Sequence, residues 1–252
     1  MLHAGLVSVT FRQLPPEEII SLVSQAGLEG IEWGGDIHVP HGDLRRAAEV
    51  RRWTEEAGLV VSSYGSYYRV GHEEPAPFKV VLETALALGA PLIRVWAGKL
   101  GSAQADVAYR QRVAEESLRI AELAQEAGVA VAYEFHGGTL TDTNASALDL
   151  LQRAQHPALG SYWQPITGAA EEYRLAGLRG VLPWLKNLHV FFWWPDYGRQ
   201  PLAPGENIWR EYLRLVAGTG REHWALLEFV RNDAPAAFLE DAATLRAWLE
   251  AM

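Results

Sequence analysis

The chain contains no cysteine, which removes disulfides, thiolate metal sites and cysteine nucleophiles together. Any bound metal must be held by Asp, Glu, His, Asn or Gln. Lysine is nearly as scarce. Lys79, Lys99 and Lys186 are the only three, and only Lys99 falls just past the carboxyl end of a predicted strand, where a Schiff-base aldolase needs its amine. No run approaches the ~18 apolar residues that span a bilayer, and the first nine residues lack the basic and apolar regions of a secretory leader. A cytoplasmic protein with no membrane partner is expected. Positive charge is also in deficit: 22 Lys+Arg stand against 31 Asp+Glu, a formal net charge of -9. Such a field repels phosphodiester backbones, so nucleic acid is not an expected partner.

What is present fits an ordinary globular protein, with 49% hydrophobic and 21% charged residues. A length of 252 residues suits an α/β barrel closing as one domain over residues 1–252. Short β-rich apolar runs, near 4–8, 30–35, 59–66, 92–97, 129–135, 159–164, 186–193 and 224–230, alternate with segments of helical period. The helices are expected near 15–26, 42–57, 77–88, 105–127, 144–154, 169–180, 206–217 and 235–250. Gly27, Gly58, Gly89 and Gly128 stand where helices stop, and Pro15-Pro16-Glu17-Glu18 opens the first with proline and acid. Eight βα units without a Gly-rich G-x-G-x-x-G turn favour a closed (β/α)8 TIM barrel over a doubly wound open sheet.

In that fold chemistry sits at the carboxyl ends of the strands. Four ligand-type residues end or nearly end strands five to eight: Glu134 in Val131-Ala132-Tyr133-Glu134-Phe135-His136, Gln164 in Ser161-Tyr162-Trp163-Gln164-Pro165, His189 in Asn187-Leu188-His189-Val190-Phe191, and Glu228 in Ala225-Leu226-Leu227-Glu228-Phe229. Each lies in an apolar or aromatic run, where an unpaired carboxylate is expensive to bury. A shared cation removes that cost. Oxygen and imidazole donors without sulfur suit one divalent metal ion among Mn, Mg, Co and Zn.

These residues, 30, 25 and 39 positions apart, resemble the ligand pattern of the xylose isomerase-like TIM barrel superfamily, in particular its sugar isomerase, ketose 3-epimerase and inosose dehydratase branch. That resemblance implies one divalent metal held by Glu, Asp, His and Glu from strands five to eight. It also implies a proton-transfer reaction next to a carbonyl, with Glu134 and Glu228 as base and acid on opposite faces of the substrate carbon. One departure is plain: Gln164 stands where the pattern has Asp, so the site loses a negative charge and weaker metal affinity is expected.

Other strand-end residues are candidates for orienting a small sugar-like substrate: Glu32, Trp33, Tyr64, Tyr67, Arg94, Trp96, His136, and His38 and His41 in a following loop. Five of the ten tryptophans, Trp33, Trp96, Trp163, Trp193 and Trp194, fall at predicted strand ends, where rings pack on sugar C–H faces. Arg199, in the loop after strand seven, is a candidate for an oxyanion or terminal substrate group. Arg231-Asn232-Asp233-Ala234-Pro235 after strand eight offers no glycine-rich phosphate cradle, so an unphosphorylated substrate is favoured. The expectation is a metal-dependent isomerase or epimerase working through an enediolate. A dehydratase of an inosose-like substrate and a non-catalytic sugar-binding barrel are the alternatives, and a homo-oligomer is left open.

Overall fold

The computed structural model, which describes residues 1–72, 76–193 and 197–252, has eight parallel strands that close in sequence order. They are β1 (Leu2–Val7), β2 (Gly30–Gly34), β3 (Val60–Arg69), β4 (Leu92–Trp96), β5 (Ala130–Tyr133), β6 (Leu159–Trp163), β7 (Leu185–Val190) and β8 (His223–Leu227). Each is followed by a helix: α1 (Pro16–Ala26), α2 (Leu44–Glu56), α3 (Phe78–Leu88), α4 (Val107–Glu126), α5 (Asn144–Arg153), α6 (Glu171–Val181), α7 (Glu206–Ala217) and α8 (Pro235–Glu250). Closure is made by β8 on β1, with Leu2–Leu6 in register against His223–Leu227. This is the (β/α)8 TIM barrel that the alternation predicts.

Local sequence explains most boundaries. In α1, Ile19, Ile20, Val23 and Ala26 form the buried face, and Gly27 ends the helix at φ 65°, a backbone conformation costly for side chains with a Cβ. Helices α2 and α4 begin two residues later than expected. Asp43 and Asp106 stay outside them as N-caps, their carboxylates accepting from the Arg46 and Tyr109 amides. β7 stops at Val190 rather than continuing to 193.

Strand alternation decides what enters the barrel. In β4, Ile93 and Val95 join the large apolar layer beneath the helices. Leu92 instead belongs, with Val7, Ala132, Tyr162 and Leu226, to a separate interior cluster. Above it the interior turns polar: Glu32, Ser63, Arg94, Asn187 and His189 are all buried. The lower barrel is packed core, and the upper barrel carries ionisable groups toward the carboxyl ends. Among the described residues, no helix is long and apolar enough to cross a membrane.

One buried acid lies outside this interior. Asp241 of α8 accepts from the Leu202 amide at 2.8 Å, anchoring the segment that leads into α7. Burial pushes its carboxyl up to about 6, against the pull of that amide. A folded-state value above the unfolded ~3.9 means that ionised Asp241 opposes folding at neutral pH, and the penalty fades as pH falls from 6 toward 4. Asp241→Asn, which keeps an acceptor oxygen, is expected to stabilise the protein at pH 7 by roughly 1–2 kcal/mol and to be near neutral at pH 4. Thermal melts at the two pH values test this; a variant less stable than wild type at pH 7 refutes it.

Candidate metal centre and substrate cavity

Glu134 directly follows β5, Gln164 follows β6, Glu228 follows β8, and His189 is the penultimate residue of β7. Ladder hydrogen bonding continues through both acids. The Glu134 amide donates to Val95 O at 2.9 Å and the Glu228 amide to Val190 O at 3.1 Å. Neighbouring strands therefore fix where these side chains start, and they converge: Glu134, His189 and Glu228 each offer a ligand atom within 4.8 Å of the others. His189 Nδ1 lies 2.6 Å from Gln164 Oε1, 3.4 Å from Glu228 Oε1 and 3.8 Å from Glu134 Oε1. Adjacent donors around a small hard divalent ion sit roughly 3 Å apart, and these spacings bracket that value. Two buried carboxylates and an imidazole that converge, with the Gln164 amide oxygen set against the imidazole, form a donor set that can hold one divalent cation.

Beneath the four donors lies an ionic network. Glu134 Oε2 accepts from the Arg94 guanidinium and, at 2.5 Å, from Trp96 Nε1, while its main-chain oxygen accepts from the Thr141 hydroxyl at 2.5 Å. Arg94 Nε donates to Glu32 Oε1 at 2.7 Å, and the guanidinium carbon sits 5.0 Å from the centre of the Tyr67 ring. Glu32 Oε2 accepts from Ser63 and Tyr162 at 2.9 and 2.7 Å. Burial by itself pushes the Glu32 carboxyl up, but Arg94 and His189 outweigh it and hold the group below the ordinary carboxylate range. Glu228 follows the same pattern, with His189 and Arg94 overcoming burial. Both acids are ionised at neutral pH.

The candidates of the sequence divide into three places. His136, Gln164 and Trp193 line a cavity of about 270 Å³ at the barrel mouth, together with Phe191, Ile166 and Asp142. The His136 ring stacks on Trp96, 4.3 Å between centres, and Trp193 stacks on Phe191 at 3.9 Å. Glu32 and Arg94 lie below the donors, closed off from that cavity. Trp33, Tyr64 and Trp163 point into packing. Trp33 Nε1 donates to Thr54 of α2, Tyr64 donates to Val39 O, and Trp163 packs edge-on against Trp209 and Tyr212 of α7. Buried His38 is paired with Ser8, and His41 packs edge-on against Tyr64. Arg199 forms an ion pair with Asp233 and lies over the Phe229 ring at 4.5 Å, tying the loop after β7 to the loop after β8. Trp194 lies outside the described residues.

The model of the xylose isomerase-like TIM barrel family matches residues 20–249. The chain belongs to that family. A curated relative, the 3-dehydroshikimate dehydratase of Bacillus anthracis, is 27% identical, with 91% of each chain covered. Among solved structures, the probable 3-DHS dehydratase of Bacillus anthracis superposes with a TM-score of 0.80 at 22% identity, covering 98% of this chain and 99% of that one. D-psicose 3-epimerase of Clostridium cellulolyticum superposes with a TM-score of 0.68 at 16% identity, covering 98% and 97%. Within this xylose isomerase-like barrel, Glu32 and Arg94, expected to orient substrate, instead support Glu134, Arg94 directly and Glu32 through Arg94, and Thr141 is a further support that sequence reading did not single out. The available signal for this network was Arg94 itself, an arginine at an inward position of the otherwise apolar Leu92–Trp96.

Proposed function

We propose that this protein is a divalent-metal-dependent dehydratase of a small hydroxylated cyclic ketone, of the kind represented by 3-dehydroshikimate or an inosose. The observation that favours this over epimerisation is the binding of Glu134. An epimerase of the two-carboxylate type needs a free base on each face of the substrate carbon. Here one oxygen of Glu134 faces His189 and the other accepts from both Arg94 and Trp96. That leaves Glu134 as a ligand rather than a proton carrier, and chemistry with one base fits better.

His136 suits the role of base. Its Nδ1 faces Gly137 O at 2.7 Å, so the proton of the neutral ring sits on Nδ1 and the lone pair on Nε2 is free. Glu134, Gln164, His189 and Glu228 would hold a divalent ion, which would supply Lewis-acid polarisation of the substrate carbonyl. His136 Nε2 takes the proton from the carbon beside that carbonyl. The electron pair left behind forms the new carbon–carbon double bond as the hydroxyl on the next carbon departs. Protonated His136 returns its proton to that hydroxyl, so one substrate gives one enone and one water. Phe191 and Trp193 offer apolar faces to the ring of the substrate.

The test is product analysis in deuterated water on a panel of 3-dehydroshikimate, inososes and ketohexoses with Mn2+ or Mg2+ present. Loss of water from at least one cyclic ketone is expected. Deuterium uptake beside the carbonyl with mass otherwise conserved would replace dehydratase by epimerase. Binding without proton exchange in any compound would leave a sugar-binding barrel.

A further inference from the structure

We infer that Glu32 is a positioning residue of the metal centre whose negative charge, set against Arg94, allows a neutral Gln164 to serve in place of an acid. This rests on the metal-site reading above. Three carboxylates, those of Glu32, Glu134 and Glu228, and the guanidinium of Arg94 are buried together. When His189 gives up its ring proton to bind a metal it is neutral, and with the three carboxylates ionised the charges then sum to two negative, which one divalent ion cancels. Remove Glu32 and Arg94 neutralises one of the two ligand carboxylates by itself, leaving a site with one negative charge facing a doubly charged ion. An additional acid at position 164 would take the intact site to three negative charges.

Geometry gives Glu32 a hold on two ligands at once. Through Arg94 it is linked to Glu134 Oε2. Toward β7, its Oε1 lies 3.9 Å from His189 Nε2, a nitrogen buried without a hydrogen-bond partner among the described residues. An imidazole that gives Nδ1 to a metal carries its proton on Nε2, and that proton faces Glu32, as carboxylates behind metal-ligating histidines do. Ser63 and Tyr162 hold the carboxylate in place from the other side.

The experiment is calorimetric titration of the metal-free full-length protein and its variants with MnCl2, with circular-dichroism melts to establish folding. Affinity should follow the summed charge of the buried groups. Glu32→Gln is expected to weaken Mn2+ binding by roughly 10–100-fold. Gln164→Asp should tighten it, and Glu32→Gln combined with Gln164→Asp should return close to wild type. Glu32→Asp, which keeps the charge, should also stay close to wild type. A purely structural role for Glu32 gives no such rescue, so a double variant binding as weakly as Glu32→Gln overturns the inference. Wild-type affinity in Glu32→Gln does the same. If Glu32→Gln does not fold, Glu32→Asp and Gln164→Asp carry the test: a folded Glu32→Asp that loses affinity 10-fold or more, or a Gln164→Asp no tighter than wild type, overturns it. Should the wild-type protein bind no Mn2+, the metal-site reading itself falls, an outcome distinct from a failed ordering among variants that bind.

Discussion

Stripped of divalent metal with a chelator, the protein is expected to keep its far-ultraviolet circular dichroism and lose its turnover, and one equivalent of Mn2+ or Mg2+ should restore activity. The fold does not need the ion. Eight strand pairs close the barrel, the main apolar layer lies outside it beneath the helices, and a chain of this length buries enough surface to fold alone. The site has greater need of it, because two buried carboxylates converge with a single imidazole between them. Loss of the ion should therefore lower the melting temperature. At a hundredfold excess of metal over its dissociation constant, linkage contributes about 2.7 kcal/mol. Elemental analysis of the purified protein should find close to one equivalent. Absence of metal together with turnover indifferent to chelation would falsify the metal centre.

Much of this arrangement was legible in the sequence, for particular reasons. Short continuous apolar runs, set off by glycine helix stops, located all eight strands, because a barrel strand buried on both faces stays apolar until its carboxyl end. The four donors were visible as polar interruptions of such runs, and the structure brings Glu134, His189 and Glu228 together with Gln164 against His189. Depth was not legible. Glu32 and Trp33 are neighbours in Gly30–Gly34, yet one enters the barrel interior and the other packs on α2 through Thr54. A one-residue difference in register decides that, and sequence boundaries are softer than one residue. Arg199 reads as an unpaired loop cation until Asp233, 34 positions on, is folded against it. Partners brought together by closure of the barrel mouth leave no local pattern.

The largest single-residue effects are expected at His136, Glu134 and Glu228, and their form separates a base from a ligand. Glu134→Gln and Glu228→Gln should each lower turnover at least ~100-fold, with part of the loss recovered at high Mn2+ concentration. Each removes a negative charge facing the cation, and mass action refills a weakened site. His136→Asn should also lose ~100-fold or more in kcat, but with Mn2+ affinity and KM little changed and no recovery on adding metal. The reason is positional: His136 lies at the cavity wall, stacked on Trp96 and tied to Gly137 O, and is not among the residues converging on the metal point. Steady-state kinetics across a Mn2+ series distinguishes the two behaviours. If His136→Asn turns over normally while Glu228→Gln stays inactive at saturating metal, Glu228 carries the proton and the two-carboxylate scheme of the epimerases regains its footing.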